Sequence, residues 1–354
     1  MSFLSLGSLS SSFEDYGQKV SVVSYNILSR TFSTPNSFPE TLYKREHLES
    51  KYRFARICEK LNEFIAMNFI ICLQEVDIET EKELRVFFEQ QNYLMEFSSF
   101  GNEINGFVGV AIAYPLHLKV LDVKYIPLNK CKEWPEPKKD SIFIRTLKKL
   151  SFGYIDFTRK YPIWEKMRTR KNILLVLEFS NFWIATFYAP REFTSEQRML
   201  VYIALVREKL ESIVNEGREN KKYKPCILAG DFNLTPNSQI YSYLTSGSIE
   251  KIKDLTKSLD NIFPQTDTWR PKNLDPLFSA VRERWGVEPK WTNKVFFRLA
   301  EDKPAKHFEA TIDYILVSPE LRVVDSFRQP SNDNVCPNEN EGSNHIAIWT
   351  KLSL

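Results

Sequence analysis

Long apolar runs are missing from this sequence of 354 residues. Runs such as residues 69–73 (FIICL) and 173–177 (ILLVL) end after a few residues. A helix needs roughly 20 to cross a bilayer, so no transmembrane segment is expected and a water-soluble chain is. Patterned cysteine is missing as well. The five cysteines, at positions 58, 72, 131, 226 and 336, are odd in number and irregularly spaced, which excludes a small disulfide scaffold. Cys72 and Cys226 fall inside apolar runs, where a free thiol packs as a small hydrophobe, and a reducing compartment is expected. Lysine and arginine are absent before Lys19. Residues 1–18 therefore lack both the basic start of a signal peptide and the arginines of a transit peptide, and read as a flexible tail ahead of one domain over 19–354. Cytoplasm or nucleus is the expected location, with the mitochondrion left open. Net charge, finally, is nearly absent, at +3 from 48 Lys and Arg against 45 Asp and Glu.

That balance conceals segregation. Residues 119–171 carry 15 Lys and Arg and 6 Asp and Glu, a local charge of +9 that leaves −6 for the remainder. Trp134, Phe143, Phe152, Tyr154, Phe157, Tyr161 and Trp164 are interleaved with these cations. Cations neutralise phosphates and aromatic faces stack on bases, so single-stranded RNA is an expected partner. A solvated surface over a small aromatic core is the alternative. An anionic membrane fits less well, because no amphipathic helix in the segment has a clean apolar face.

Short β-branched runs predict buried strands at 20–28, 69–73, 108–114, 172–179, 182–188, 226–230, 310–317 and 346–352. Apolar residues spaced by three and four predict a helix over 48–64, with Tyr52, Ile57, Leu61 and Phe64 on one face. Further helices are predicted over 79–91 and 194–215, the second opened by Thr194 and Ser195 as caps. Strands and helices interleave irregularly, and several strand pairs are too close for a crossover helix. A mixed sheet fits better than a parallel one. Residues 331–341 (SNDNVCPNENE) are polar and read as a long exposed loop.

Polar residues at the ends of apolar strands are the informative ones, because they sit on a rigid frame. Asn26 ends one strand, Glu75 another, and Asp231 and Asn233 follow a third. Asp313 lies within a strand-like run between Ile312 and Ile315, where an unpaired charge is costly and needs a partner. His345, one of only four histidines, is the natural candidate. Taken singly, each has a plain structural reading, as a helix-terminal charge, a turn residue or a satisfied core histidine.

The ordered set SYNIL (24–28), LQEVD (73–77), GDFNLTPNS (230–238), TIDYILVS (311–318) and SNHIAIW (343–349) resembles the endonuclease/exonuclease/phosphatase superfamily over about residues 20–354. The LQEVD form, GFVGVAI (106–112) and FEATIDYILVS (308–318) are most similar to its deadenylase, nocturnin and Angel branch. The resemblance implies an α/β fold, a four-layer α-β-β-α sandwich of two mixed sheets, and a Mg²⁺-dependent phosphodiesterase, with Mn²⁺ able to replace Mg²⁺. It implies metal binding at Glu75 with Asn26 and Asn344, and a water-activating role for Asp231 beside Asn233. It also implies an Asp313–His345 pair that donates to a phosphoryl oxygen, and substrate contacts from Asn26, Asn233, Tyr188 and Arg191. Hydrolysis of RNA from a 3′ end is the expected activity.

Three positions depart from the family pattern. Asn344 stands where an aspartate is usual, which removes a negative charge from a cation site. The strand leading to TFYAP (186–190) lacks the histidine of the exonuclease branch, and Tyr188 instead matches the Thr-x-Tyr-x-Pro form of apurinic and retroelement endonucleases. Asn105 replaces an aspartate before Gly106. The lost carboxylate leaves open an RNA-binding or adaptor protein with weakened catalysis. A phosphodiesterase acting on a lipid headgroup or a small nucleotide is a third reading.

Overall fold

The computed structural model describes residues 19–34, 37–39, 42–132, 168–191, 195–219, 223–260, 271–298, 303–329 and 334–354. The expected N-terminal tail, the helix-capping Thr194 and the seven aromatics of the basic segment lie outside these residues.

The continuous apolar runs form the middles of two mixed six-stranded sheets. In the first, β1 (Lys19–Asn26) and β2 (Ile70–Val76) run parallel. Outward from them lie β14 (Ile348–Ser353) and β13 (Arg322–Ser326) on one side, and β4 (Gly109–Pro115) and β3 (Tyr93–Ser99) on the other, all antiparallel to their neighbours. The second sheet repeats the scheme. Its parallel centre is β7 (Trp183–Tyr188) with β8 (Cys226–Asp231). Antiparallel flanks are β6 (Ile173–Glu178) and β5 (Asp122–Pro127) on one side, β12 (Asp313–Val317) and β9 (Phe278–Ser279) on the other. A ribbon of β10 (Asn293–Phe297) and β11 (Lys306–Ala310) stands apart from both.

A parallel pair needs a crossover, and a helix provides each one. Helix α1 (Ser50–Ile65) joins β1 to β2, and α3 (Glu196–Glu219) joins β7 to β8. Between them in sequence, α2 (Ile78–Gln90) is capped by Asp77, whose side chain accepts from Thr80 N at 2.9 Å. At α3 the Ser195 hydroxyl accepts from Arg198 N at 3.4 Å. Three short helices follow: α4 (Gln239–Ser246), α5 (Lys253–Asp260) and α6 (Ala280–Trp285).

Alternation along each central strand sends side chains into two cores. Val22, Ile70, Cys72, Val110 and Ile112 meet Leu175, Leu177, Ile184, Ile227 and Ile315 between the sheets. The other face of the first sheet, including Val23, Ile71 and Leu73, packs on Ile57, Leu61, Phe64, Leu84 and Phe88 of α1 and α2. The outer face of the second sheet, including Val176, Phe187 and Leu228, packs on α3 and α4. The result is the expected α-β-β-α sandwich. Both faces of each sheet are covered, which is why these strands read as unbroken apolar runs.

All five cysteines are free, and Cys72 and Cys226 are buried as expected. No helix among the described residues is long and apolar enough to cross a membrane. One expectation is corrected. In the presumed exposed loop, Cys336 and Glu341 are buried, because Cys336 N bonds to Lys294 O of β10 and residues 341–343 fold back onto β1 and α1.

Candidate active site

Both parallel pairs end at one edge of the sandwich, and the sheets face each other there. Asn26 and Glu75 close β1 and β2 on one side, and Tyr188 and Asp231, which are register partners, close β7 and β8 on the other. Asp313 begins β12 directly opposite Asp231. Ends of parallel strands are where α/β folds collect ligand-binding loops.

The side chains meet across the gap. Asn26 Nδ2 donates to Glu75 Oε1 at 3.1 Å and to Asp231 Oδ2 at 3.0 Å. Glu75 Oε1 also accepts from the Tyr188 hydroxyl at 2.8 Å and from Arg191 at 3.3 Å, and its Oε2 accepts from Ser29 N at 3.3 Å. His345 Nδ1 pairs with Asp313 Oδ2 at 2.8 Å, while its Nε2 lies 3.8 Å from Asp231 Oδ2. Asn233 N donates to Asp231 Oδ1 at 2.9 Å, and Asn233 Nδ2 donates to Ala189 O at 2.8 Å. Glu75, Asn26, Asp231 and His345 are wholly buried, whereas the Arg191 side chain is 46% exposed and opens the site to solvent.

Three of the six non-glycine residues with positive φ among the described residues lie at this place. Leu28, Glu75 and Asn233 have φ of 54°, 56° and 50°, in the left-handed region that non-glycine residues seldom occupy. Each costs about 1–3 kcal/mol, and such residues cluster at functional sites. At Glu75 the strain coincides with a register shift between β2 and β4, a bulge that re-aims its carboxylate.

Electrostatics divides the carboxylates into different roles. Burial alone would raise Glu75, but Arg191, His345 and the hydrogen bonds from Asn26 and Tyr188 outweigh it and hold it below the usual carboxylate range. Asp231 goes the other way, pushed up to about 7 by burial and then by Asp313. Burial disfavours the imidazolium of His345, yet Asp313, Asp231 and Glu75 raise it above the ordinary histidine value. Tyr188, raised well above the usual phenol value by burial and by Glu75, remains a hydroxyl donor. Its ring packs in the inter-sheet core and stacks on Phe100 at 6.2 Å, while its hydroxyl faces Glu75.

Asp231, Asp313 and His345 lie close enough to hold a cation. The His345 imidazolium between them, however, already offsets one of the two negative charges. Thr292 Oγ1 further satisfies Asp313 Oδ2 at 2.5 Å. The better fit for a hard divalent ion is around Glu75, an ionised carboxylate beside the Asn26 amide and Asp231, since such ions take oxygen ligands and use one or two carboxylates. Asn344 is buried and its Oδ1 has no hydrogen-bond partner among the described residues. That orphaned oxygen is free to serve as a ligand.

Beside Glu75 a cleft of about 560 Å³ is lined by Tyr188, Arg191, Phe100, Asn105, Arg170 and Lys171. Arg170 and Lys171 are the end of the basic segment; residues 133–167 of it lie outside the described residues. Two participants carried no clear signal in the sequence. Thr292 comes from the loop before β10 and braces Asp313. Ser343, within the SNH motif, accepts from His345 N at 3.2 Å and donates to Asn26 O at 2.6 Å.

The profile of the endonuclease/exonuclease/phosphatase family matches residues 23–345. The chain belongs to that family. Endonuclease/exonuclease/phosphatase proteins are phosphoester hydrolases, and the two facing mixed sheets are their fold. The chain is 28% identical over 135 residues to carbon catabolite repressor protein 4 homolog 4 of Arabidopsis thaliana, a match that takes in 36% of this chain and 27% of that protein. The match thus spans about a quarter of the length of that relative. ANGEL2, described as a 2′,3′-cyclic phosphatase, superposes with a TM-score of 0.67 at 20% identity, covering 96% of this chain and 97% of its own. The human Nocturnin catalytic domain gives 0.56 at 16% identity, covering 95% and 93%. At these identities the likeness is one of fold. ANGEL2 and Nocturnin are named for the branch that the motifs resemble.

Proposed function

We propose that this protein is a divalent-metal-dependent phosphodiesterase that hydrolyses single-stranded RNA from a 3′ end. One observation carries the reading: the buried junction of Asn26, Glu75, Asp231, Asn233, Asp313 and His345, in which neighbouring groups are tuned to opposite tasks. Glu75, with Asn26 and the orphaned oxygen of Asn344, would hold Mg²⁺ or Mn²⁺, which supplies positive charge to the phosphate and the leaving oxygen. Asp231, whose proton is released near neutral pH, takes the proton of the attacking water. Asn233 orients that water or the phosphate. An O–P bond forms in line with the P–O bond that breaks, and His345 Nε2 donates to the phosphoryl oxygen on which charge develops. Tyr188 and Arg191, at the mouth of the cleft, contact the substrate phosphate, and Arg170 and Lys171 favour a polyanion there.

The test is cleavage of single-stranded RNA and DNA oligomers bearing 3′-hydroxyl, 3′-phosphate or 2′,3′-cyclic phosphate ends, with Mg²⁺ or Mn²⁺. Glu75→Ala and Asp231→Ala are each expected to remove turnover. Cleavage that survives both substitutions and chelation would sink the proposal. A second reading rests on Asn344: with one carboxylate fewer, the protein binds RNA with little turnover. Undiminished RNA binding without product in the same assay would favour it. Release of a headgroup from phospholipid vesicles would instead point to a lipid substrate.

A further inference from the structure

Among the described residues, one of the largest fully buried side chains is a cation that the chemistry above does not use. Arg53, on α1, is 2% exposed. Its Nε donates to Gly342 O at 2.7 Å, Nη1 to Ser33 Oγ at 2.9 Å, and Nη2 to Ile27 O at 2.7 Å and to Leu28 O. All four acceptors are neutral oxygens. Burying a charge on neutral partners is costly, and here four hydrogen bonds offset that cost. What the guanidinium provides is a rigid fork that holds several acceptors in fixed geometry.

Those acceptors belong to two loops. Ile27, Leu28 and Ser33 follow β1, in the segment where Leu28 N binds Asn26 Oδ1 at 2.9 Å and Ser29 N binds Glu75. Gly342 precedes β14, one residue before Ser343, which ties Asn26 O to His345 N. The loop also presses on the helix itself, since a Cβ on Gly342 would lie 2.5 Å from the Arg53 carbonyl oxygen.

We propose that Arg53 is a positioning residue whose guanidinium holds the loop after β1 and the loop before β14 in one register, setting Asn26 and Glu75 against Asp231 and His345. The proposal rests on the function proposed above for the consequences in turnover, but its geometric content stands without it. A misplacement of about 1 Å in such an assembly can cost about a hundredfold in rate.

The experiment compares Arg53→Met with Arg207→Met. Arg207 is also a buried arginine, but it lies on α3 and binds Asp275 O, away from the site. Four quantities are measured: melting temperature, kcat and KM on the RNA oligomer, and the low-field imidazole N–H proton of His345, identified by its loss in His345→Gln. Both variants are expected to melt lower. Arg53→Met alone loses or shifts the His345 resonance and drops kcat by about 10–100-fold with KM within about twofold. If Arg53→Met folds and keeps the resonance and kcat of Arg207→Met, the proposal is overturned. Should Arg53→Met not fold, Gly342→Ala displaces the loop while leaving the charge in place. It is expected to shift the resonance, and an unchanged resonance there refutes the proposal equally. If the wild type turns over no phosphodiester, that failure concerns the proposed function, and the resonance alone decides the role of Arg53.

Discussion

Asp231 shows how much of a residue's chemistry comes from its surroundings. In the sequence it is one acid among 45 Asp and Glu. In the fold, burial and Asp313 push it up to about 7, while Glu75, within reach of the same Asn26 amide, is held ionised by Arg191 and His345. The sign of the pH dependence follows. Below about 7 Asp231 holds a proton and cannot accept one from water, so turnover is expected to rise with pH through that region. Because added positive charge favours the carboxylate, the midpoint moves down as Mg²⁺ is raised; a pH–rate series at two Mg²⁺ concentrations checks both. At Asn344 a carboxylate is missing beside an unpartnered amide oxygen. Asn344→Asp is expected to tighten Mn²⁺ binding by about tenfold, roughly 1.4 kcal/mol. Calorimetric titration measures this, and unchanged affinity would remove Asn344 from the ligand set. The strand-end residues were legible because a polar residue closing an apolar run is conspicuous. Thr292 was not, because a threonine before a strand is ordinary until Asp313 is seen to bond to it.

Among elements, what was legible in the sequence followed burial. The eight strands predicted from apolar runs are the eight interior strands of the two sheets. The four strands at the sheet edges, β3, β5, β9 and β13, gave no such signal. Edge strands face solvent more, so their residues are mixed: β13 reads Arg-Val-Val-Asp-Ser and β5 Asp-Val-Lys-Tyr-Ile-Pro. The loop before β14 failed for the opposite reason. Its polar composition suggested exposure, yet Glu341 is buried against the Tyr25 hydroxyl and accepts from Ser343 N at 3.3 Å. Burial pushes Glu341 up to about 7. Between about pH 4.5 and 7 the folded chain therefore keeps a proton that the unfolded chain releases, so this group's contribution to stability is present at low pH and is lost as pH rises. Glu341→Gln keeps an acceptor for both partners and removes the charge. Its advantage over wild type in chemical denaturation is expected to grow with pH across that window to at most about 3 kcal/mol, at 1.36 kcal/mol per pKa unit. A constant difference from pH 4.5 to 8 would contradict that account.

At the scale of the whole molecule, the site exists only because two sheets are stacked with the ends of their parallel pairs in register. Neither sheet carries it alone: Glu75 and Asn26 come from one, Tyr188, Asp231 and Asp313 from the other. A divalent ion that binds this junction binds the folded state alone, and should stabilise it by about 2.7 kcal/mol at a hundred times its Kd. Melting temperature is accordingly expected to rise with Mg²⁺ in the wild type and not in Glu75→Ala. An equal rise in both would place the ion elsewhere.

The sequence by itself determined the interior strands, the crossover helices and the ordered set of strand-end polar residues, because burial on both faces leaves an apolar signature that ends where chemistry begins. Only the tertiary structure decided the rest: that Asp231 and Glu75 share Asn26 yet differ in charge, that Tyr188 points its hydroxyl at Glu75, that Arg53 reaches both neighbouring loops, and that Glu341 within one of them is buried. Those properties depend on distances between residues far apart in the chain, and on the water that folding removes from between them.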